Sequence, residues 1–430
     1  MIRPLTRLLA AVVAFTFAAC GTQGPAPTPA PGDEVKSDHA RILTAAPTAD
    51  VATAVHGNSQ FALDLLHELG RDDENLFFSP QSITLALSMS MAGARNSTQT
   101  GFERTLHLGL AQGQYHRAMN DLDRQLESRG QGAKAADGKP FRLRQTNQLF
   151  SQKGGRFERP FLDLLADEYG AGGRLLDFRA APEPSRVAIN GWVADQTEQR
   201  IKELLGAGSI TVDTRLVLVN AIYFNASWAT QFQKNQTVDG TFHAPHGDRQ
   251  VPLMHSSDVA SRYGELDGAQ VVELPYDGNE LSLLAVLPRA GELAAFERSL
   301  DAAKLEALVG SLGAARVVLT LPSFKVDGTS VSLKGPLERL GLGTAFSGDA
   351  DFSGITTEDK LHIADVIHQA FVKLDETGTE AAAATAVVFE RDSVAEPGQL
   401  RTVTFDRPFV FLVRDNATGA VVFLGHLVAP

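Results

Sequence analysis

Four polar residues interrupt apolar stretches of this 430-residue chain. Ser79 and Ser82 lie in Leu76-Phe77-Phe78-Ser79-Pro80-Gln81-Ser82-Ile83, Asn220 lies within Leu216–Phe224, and His368 ends Leu361–His368. A hydroxyl or imidazole in such a setting can serve a reaction or satisfy a buried neighbour. Catalysis needs a nucleophile beside its base, or a fixed set of metal ligands. No GxSxG, HExxH or glycine-rich phosphate loop occurs, and the eleven His are scattered. Asp349 with Asp351 reads as a pair of solvated turn acids. A lone histidine in an apolar stretch is more often a satisfied core residue than a catalyst. Four such residues in separate elements imply one shared hydrogen-bond cluster, able to hold a strand pair shut or let it open. This reading contains no catalytic residue, no metal and no cofactor.

The second unusual feature is Asp375-Glu376-Thr377-Gly378-Thr379-Glu380-Ala381-Ala382-Ala383-Ala384-Thr385-Ala386-Val387-Val388-Phe389. Four consecutive alanines favour a helix. The flanks favour an extended segment, since Thr385, Val387, Val388 and Phe389 are strand formers and Pro397-Gly398 marks a turn. Read with period two, Thr379, Ala381, Ala383, Thr385 and Val387 share one face and Glu380 takes the other. A strand with such a small inward face can slide between two existing strands. The segment reads as either loop or strand.

The surrounding elements must position these residues. Phe61, Leu65, Leu66 and Leu69 mark a helical face that Gly70 stops, and Ser79 and Pro80 fit the cap and first turn of a helix through Ile83, Leu87 and Met91. Phe161–Tyr169 and Val187–Thr197 are helical by spacing. Gln145–Phe150, Leu281–Leu287, Val317–Leu321, Phe409–Val413 and Ala420–Leu424 read as strands, and Leu216–Phe224 as a strand buried on both faces. Helices come mainly first and strands later, which predicts a mixed α+β fold. With 43% hydrophobic and 21% charged residues the chain is globular, neither a fibrous repeat nor a multi-span membrane protein. A net charge of −12 without basic runs suits neither nucleic acid nor a polyanionic activator. The single cysteine, Cys20, excludes an internal disulfide.

Arg3 and Arg7 precede an apolar run from Leu8 to Ala19, which is too short for a bilayer span of about 20 residues. Residues 1–19 therefore read as an export signal. Phe17-Ala18-Ala19-Cys20-Gly21 resembles a bacterial lipoprotein box, with Cys20 lipidated; the alternative is a plain signal peptide whose cysteine is incidental. Residues 20–51, with five prolines, read as a tether, and the folded domain as 52–430. The expected location is exported, membrane-anchored at the cell surface or periplasm, or secreted, with membrane contact only through Cys20.

Beyond about Ala52 the chain resembles a serpin. The resemblance rests on Asn75–Ile83; on Leu218-Val219-Asn220-Ala221-Ile222-Tyr223-Phe224-Asn225-Ala226-Ser227-Trp228; on Val366–Ala383; and on Phe405-Asp406-Arg407-Pro408-Phe409-Val410-Phe411-Leu412-Val413. It implies three β-sheets, about eight or nine helices, an exposed reactive-centre loop near 376–404 and a monomer. It also implies inhibition of serine or cysteine proteases as a suicide substrate: the attacked loop inserts into the main sheet and traps the covalent acyl-enzyme. The resemblance places Ser79, Ser82, Asn220 and His368 where the sheet parts, and Trp228 with Glu376 where insertion begins. The hinge would be Glu376, Gly378, Thr379, Ala381, Ala382, Ala383 and Ala384, whose small residues suit an inhibitor rather than a passive carrier.

The resemblance implies a cut sixteen residues beyond Glu376, which would fall at Asp392-Ser393; one residue shorter it would fall at Arg391-Asp392. Arg391 would suit trypsin-like targets, and Asp392 proteases that prefer an acidic residue. The 32 positions from Glu376 to Pro408 are about five more than the resemblance implies, which places an insertion around Ala395–Leu400. The other classes are a tethered carrier or adhesion module on the same fold, and an enzyme, for which no constellation is present.

Overall fold

A computed structural model describes residues 31–71, 73–327, 330–379 and 400–430. Its α-helices are α1 (Thr48–Leu69), α2 (Pro80–Met91), α3 (Asn96–Thr105), α4 (Gln112–Glu127), α5 (Arg159–Tyr169), α6 (Pro182–Gln196), α7 (Leu293–Arg298), α8 (Ala302–Gly310) and α9 (Lys334–Leu337). The strands are β1 (Asp33–Val35), β2 (Leu76–Phe78), β3 (Arg142–Gln152), β4 (Gly173–Leu176), β5 (Leu216–Ser227), β6 (Val238–Ala244), β7 (Gly247–Leu266), β8 (Ala269–Pro275) and β9 (Leu281–Leu287). There follow β10 (Gly313–Pro322), β11 (Phe324–Asp327), β12 (Val331–Ser332), β13 (Val366–Gln369), β14 (Phe371–Asp375), β15 (Gly378–Thr379), β16 (Leu400–Thr404), β17 (Phe409–Asp415) and β18 (Val421–Leu427). Six helices precede β5 and most strands follow it, as the α+β expectation requires.

Local chemistry explains several boundaries. Ser79 caps α2 by accepting the N–H of Ser82, with Pro80 in the first turn where its missing N–H is not needed. α1 buries Phe61, Leu65 and Leu66 and ends where the Gly70 N–H bonds the Leu66 carbonyl. α6 begins five residues before the expected Val187, because Pro182 fits a first helical turn.

The main sheet runs β1-β4-β3-β5-β15-β14-β11, with β13 joining β5 to β12. The other strands run β16-β10-β7-β8-β9-β17-β18-β2, with β6 on β7. One end of β7 pairs with β6 and the other with β8, so the remaining two of the three expected sheets are continuous through this strand. β5 is buried on both faces, as predicted. Leu218, Ile222, Phe224 and Ala226 enter the main core. Val219 and Ala221 meet Ile189, Trp192 and Val193 of α6 in a second, smaller cluster.

The expected start of folded sequence near Ala52 is corrected. β1 pairs antiparallel with β4, and α1 begins at Thr48. Between them Arg41 bonds Asn120, Asp123 and Glu127 of α4, and the Ile42 N–H bonds the Asp167 carbonyl of α5. Strand pairing and charged contacts hold this stretch together with a little apolar burial at Val35 and Ala46, so its composition resembles a linker. Residues 1–19 and Cys20 lie outside the described residues, as do Ala381, Ala382, Ala383 and Ala384 and both candidate bonds at Arg391, Asp392 and Ser393. Among the described residues no helix is long and apolar enough to cross a membrane, and no group of three or more His, Cys, Asp or Glu is placed to hold a metal.

Candidate functional site

The site lies along one edge of β5. At its lower end β5 pairs in parallel with β13, Leu218 to Ala221 against Val366 to Gln369. At its upper end it pairs antiparallel with β15, Ser227 opposite Gly378 and Ala226 opposite Thr379. Among the described residues the ladder is interrupted over the positions between, where β13 gives way to β14. Among them, β5 is thus fastened at two ends of this edge and parted in the middle.

The lower fastening contains the predicted polar cluster. The Ser79 N–H donates to His368 Nε2 (3.1 Å), and His368 Nδ1 lies 3.2 Å from Asn220 Oδ1. Nε2 therefore accepts and Nδ1 carries the proton. Asn220 Nδ2 donates to the Ser82 carbonyl (2.6 Å) and to Asn147 Oδ1 on β3, while the Ser79 hydroxyl donates to the Val422 carbonyl (2.7 Å). α2, β3, β5, β13 and β18 meet here. Ser82 takes part only through its backbone; its buried hydroxyl has no partner among the described residues. Asn147 was not singled out from sequence, because its neighbours Gln145, Thr146 and Gln148 hide one more polar residue.

Burial pushes the His368 imidazole down to about 3, with no carboxylate to offset the desolvation. An unfolded histidine takes a proton near 6.5, so acid favours the unfolded chain. This contribution is intact above pH 6.5 and is lost progressively as pH falls towards 3. Between pH 7.5 and 5 the native protein is expected to lose about 2 kcal/mol more stability than His368→Gln. Denaturant melts of both proteins at the two pH values measure the difference; equal losses would show that another group governs it.

The upper fastening is built on Trp228. Its Nε1 donates to the Asp375 carbonyl (2.9 Å), its backbone N–H to Thr377 (3.0 Å), and its ring stacks on Tyr276 with centroids 4.8 Å apart. The Tyr276 hydroxyl in turn lies 2.7 Å from the Thr379 hydroxyl. Thr379 is only 2% exposed, so its side chain already sits under the sheet. Gly378 passes so close to β5 that an added Cβ would stand 2.1 Å from the Ala226 carbonyl oxygen. The Glu376 carboxylate accepts the Thr237 hydroxyl (2.7 Å), and the Glu376 carbonyl accepts the Phe232 N–H (2.9 Å). The structure thus brings Trp228, Glu376, Gly378 and Thr379 together. Tyr276 and Thr237 were not anticipated: each lies among turn and loop residues that carry no pattern.

The family model described as serpin (serine protease inhibitor) matches residues 56–430. An uncharacterized serpin-like protein of Thermococcus kodakarensis is 35% identical over 87% of this chain and 85% of its own length. The leukocyte elastase inhibitor of Homo sapiens is 34% identical over 87% of this chain and 98% of its own. Among solved structures, the thermophilic serpin tengpin in its native state superposes with a TM-score of 0.79 at 26% identity, covering 92% of this chain and 98% of that one. Thyroxine-binding globulin complexed with thyroxine gives 0.76 at 28%, covering 87% and 99%.

Proposed function

Because the chain belongs to the serpin family, we propose that it inhibits serine or cysteine proteases as a suicide substrate. The target's nucleophile attacks the scissile carbonyl of the loop. The peptide bond breaks, the new amino terminus leaves with a proton, and an acyl-enzyme remains. Before water cleaves that bond, the severed loop enters the main sheet beside β5 and carries the protease with it. The inhibitor supplies no catalytic group.

The observation that carries this reading is the seated hinge. Continuing the antiparallel register beyond Thr379 and Ala226 sets Ala381 opposite Phe224, Ala383 opposite Ile222, Thr385 opposite Asn220, Val387 opposite Leu218 and Phe389 opposite Leu216. Those five positions of the inserting strand would face the main core, because residues directly opposite share a face. The parted middle of β5 meets Glu380 and three alanines first. Further entry displaces β13, so Thr385 takes the place of His368 beside Asn220. The polar cluster then acts as a latch that exchanges one hydrogen-bonding partner for another, which keeps Asn220 satisfied.

Incubation of the protein with a panel of serine and cysteine proteases tests the proposal. An SDS-stable adduct is expected, with a released carboxy-terminal fragment that begins at Ser393 or Asp392 by mass. Cleavage of the loop by every protease without an adduct would assign the chain to the carrier class on the same fold.

A further inference from the structure

The register of β15 also locates what crosses the parted edge. β15 runs antiparallel to both its neighbours, with Thr379 opposite Ala226 of β5 on one side and opposite Leu374 of β14 on the other. β5 and β14 are therefore parallel and, at this level, two strand spacings apart, or about 9.6 Å at ~4.8 Å each. Three residues back along each strand, Tyr223 stands level with Phe371. Among the described residues no strand lies between them there. Both point away from the main core. Tyr223 shares the face of Val219 and Ala221, which meet α6, and Phe371 is out of phase with Val372 and Leu374, which enter the main core.

One turn at the end of α6 touches both. Its residues Glu198 and Gln199 take left-handed φ of 48° and 64°, which a residue with a Cβ adopts at a cost. The Glu198 carboxylate accepts the Tyr223 hydroxyl (3.2 Å) and meets Arg142 (3.2 Å) and Arg144 (3.6 Å) of β3. Two residues on, the Arg200 guanidinium lies over the Phe371 ring, 5.6 Å from its centroid. Lys325 of β11 lies over the same ring (5.5 Å), but it approaches from the β14 side and bridges nothing. The Gln199 N–H bonds the Ala194 carbonyl (2.7 Å) and the Arg200 N–H the Thr197 carbonyl (2.9 Å), which ties the turn to the helix. Its two ends differ in strength. Glu198 has three partners, one of them the buried Arg142, which Asp137 also holds. Arg200 is exposed, and a cation–π contact at such a site is weak.

We propose that residues 198–200 form a staple across the parted edge, and that its release sets how fast a strand enters beside β5. Glu198 is the fixed end and Arg200 the end that opens. The strain at Glu198 and Gln199 favours opening, because it is relieved when the turn lets go. The inference rests on the proposed insertion. An entering strand needs two strand spacings at the level of Tyr223 and Phe371 and passes beneath the turn, so it draws the two contacts apart. Glu198 and Arg200 are positioning residues and touch no reacting atom.

The ratio of SDS-stable adduct to released, cleaved inhibitor reads the race between insertion and hydrolysis, while total loop cleavage reads acylation alone. Arg200→Ala is expected to raise that ratio at least threefold at an unchanged rate of cleavage. Arg200→Lys keeps a cation for the ring and is expected to bring the ratio back to within twofold of the native value. Gln199→Gly removes strain from the intact turn and is expected to lower the ratio at least threefold. Its effect on the unfolded chain does not enter, since the intact and inserted forms are both folded. A turn that merely supports the fold would shift both variants in one direction, so ratios that are unchanged or shifted alike would overturn the inference. A changed rate of cleavage at an unchanged ratio would overturn it too, by placing the turn's influence on protease docking. If every protease cleaves the native protein without adduct, the insertion reading falls first and this one with it.

Discussion

Thr379→Arg is expected to lower the yield of covalent adduct at least tenfold while the loop remains a good substrate. Trapping and hydrolysis compete for the same acyl-enzyme, so a barrier to insertion raised by about 1.4 kcal/mol shifts the partition tenfold. The substitution exceeds that requirement. Thr379 is buried beneath the sheet, where its hydroxyl meets the neutral hydroxyl of Tyr276. An unpaired guanidinium in such a place costs several kcal/mol. The hinge of the variant would leave the sheet before any protease arrives, and the strand behind it would have no leading edge. Thr379→Val is the control. It keeps the shape, leaves the Tyr276 hydroxyl without one partner, and is expected to change adduct yield no more than about twofold. Gel quantification of adduct against cleaved inhibitor decides between the outcomes; an unchanged yield from the arginine variant would falsify insertion led by Thr379.

The parts of the site legible in sequence were those that break a local pattern. Asn220 stands out in an apolar strand, His368 in an apolar stretch, and Ser79 before a proline. Each bonds within the lower fastening. Ser82 had the same signature, yet only its backbone is used, because a side chain's direction depends on the packing of α2 against β5 and not on spacing. Asn147 bonds Asn220 but sits among polar neighbours, so no contrast marks it. The register that seats Gly378 and Thr379 against β5 joins residues some 150 positions apart, and no local pattern encodes such a pairing. The amino-terminal stretch failed for the opposite reason. Arg41 and its three partners add charge-assisted bonds to the small apolar burial at Val35 and Ala46, and a composition of Pro with Gly, Thr and Ala reads as linker even when it is seated.

Cleavage of the loop should make the protein more stable than the intact chain, by more than about 10 °C in Tm. For about 400 residues that shift corresponds to roughly 8 kcal/mol, from an unfolding entropy of ~2.1 cal/mol/K per residue. Among the described residues the intact sheet is fastened along this edge of β5 only at Leu218–Ala221 and Ala226–Ser227. Insertion would continue the β15 pairing down the whole strand and place Ala381, Ala383, Thr385, Val387 and Phe389 against the main core. On the proposed mechanism, attachment at both ends would hold the intact loop back, since Leu400–Thr404 is paired in parallel with β10. Severing it removes that restraint while adding no new residue to the protein. A molecule that gains stability by losing a peptide bond was in a kinetic trap beforehand, which is the property the proposed inhibition needs. Thermal melts of intact and protease-clipped protein make the comparison, and reducing agent should alter neither curve, because one cysteine cannot form an internal disulfide. Equal melting temperatures would mean that the parted edge of β5 stores nothing, and the carrier class would then describe the chain better.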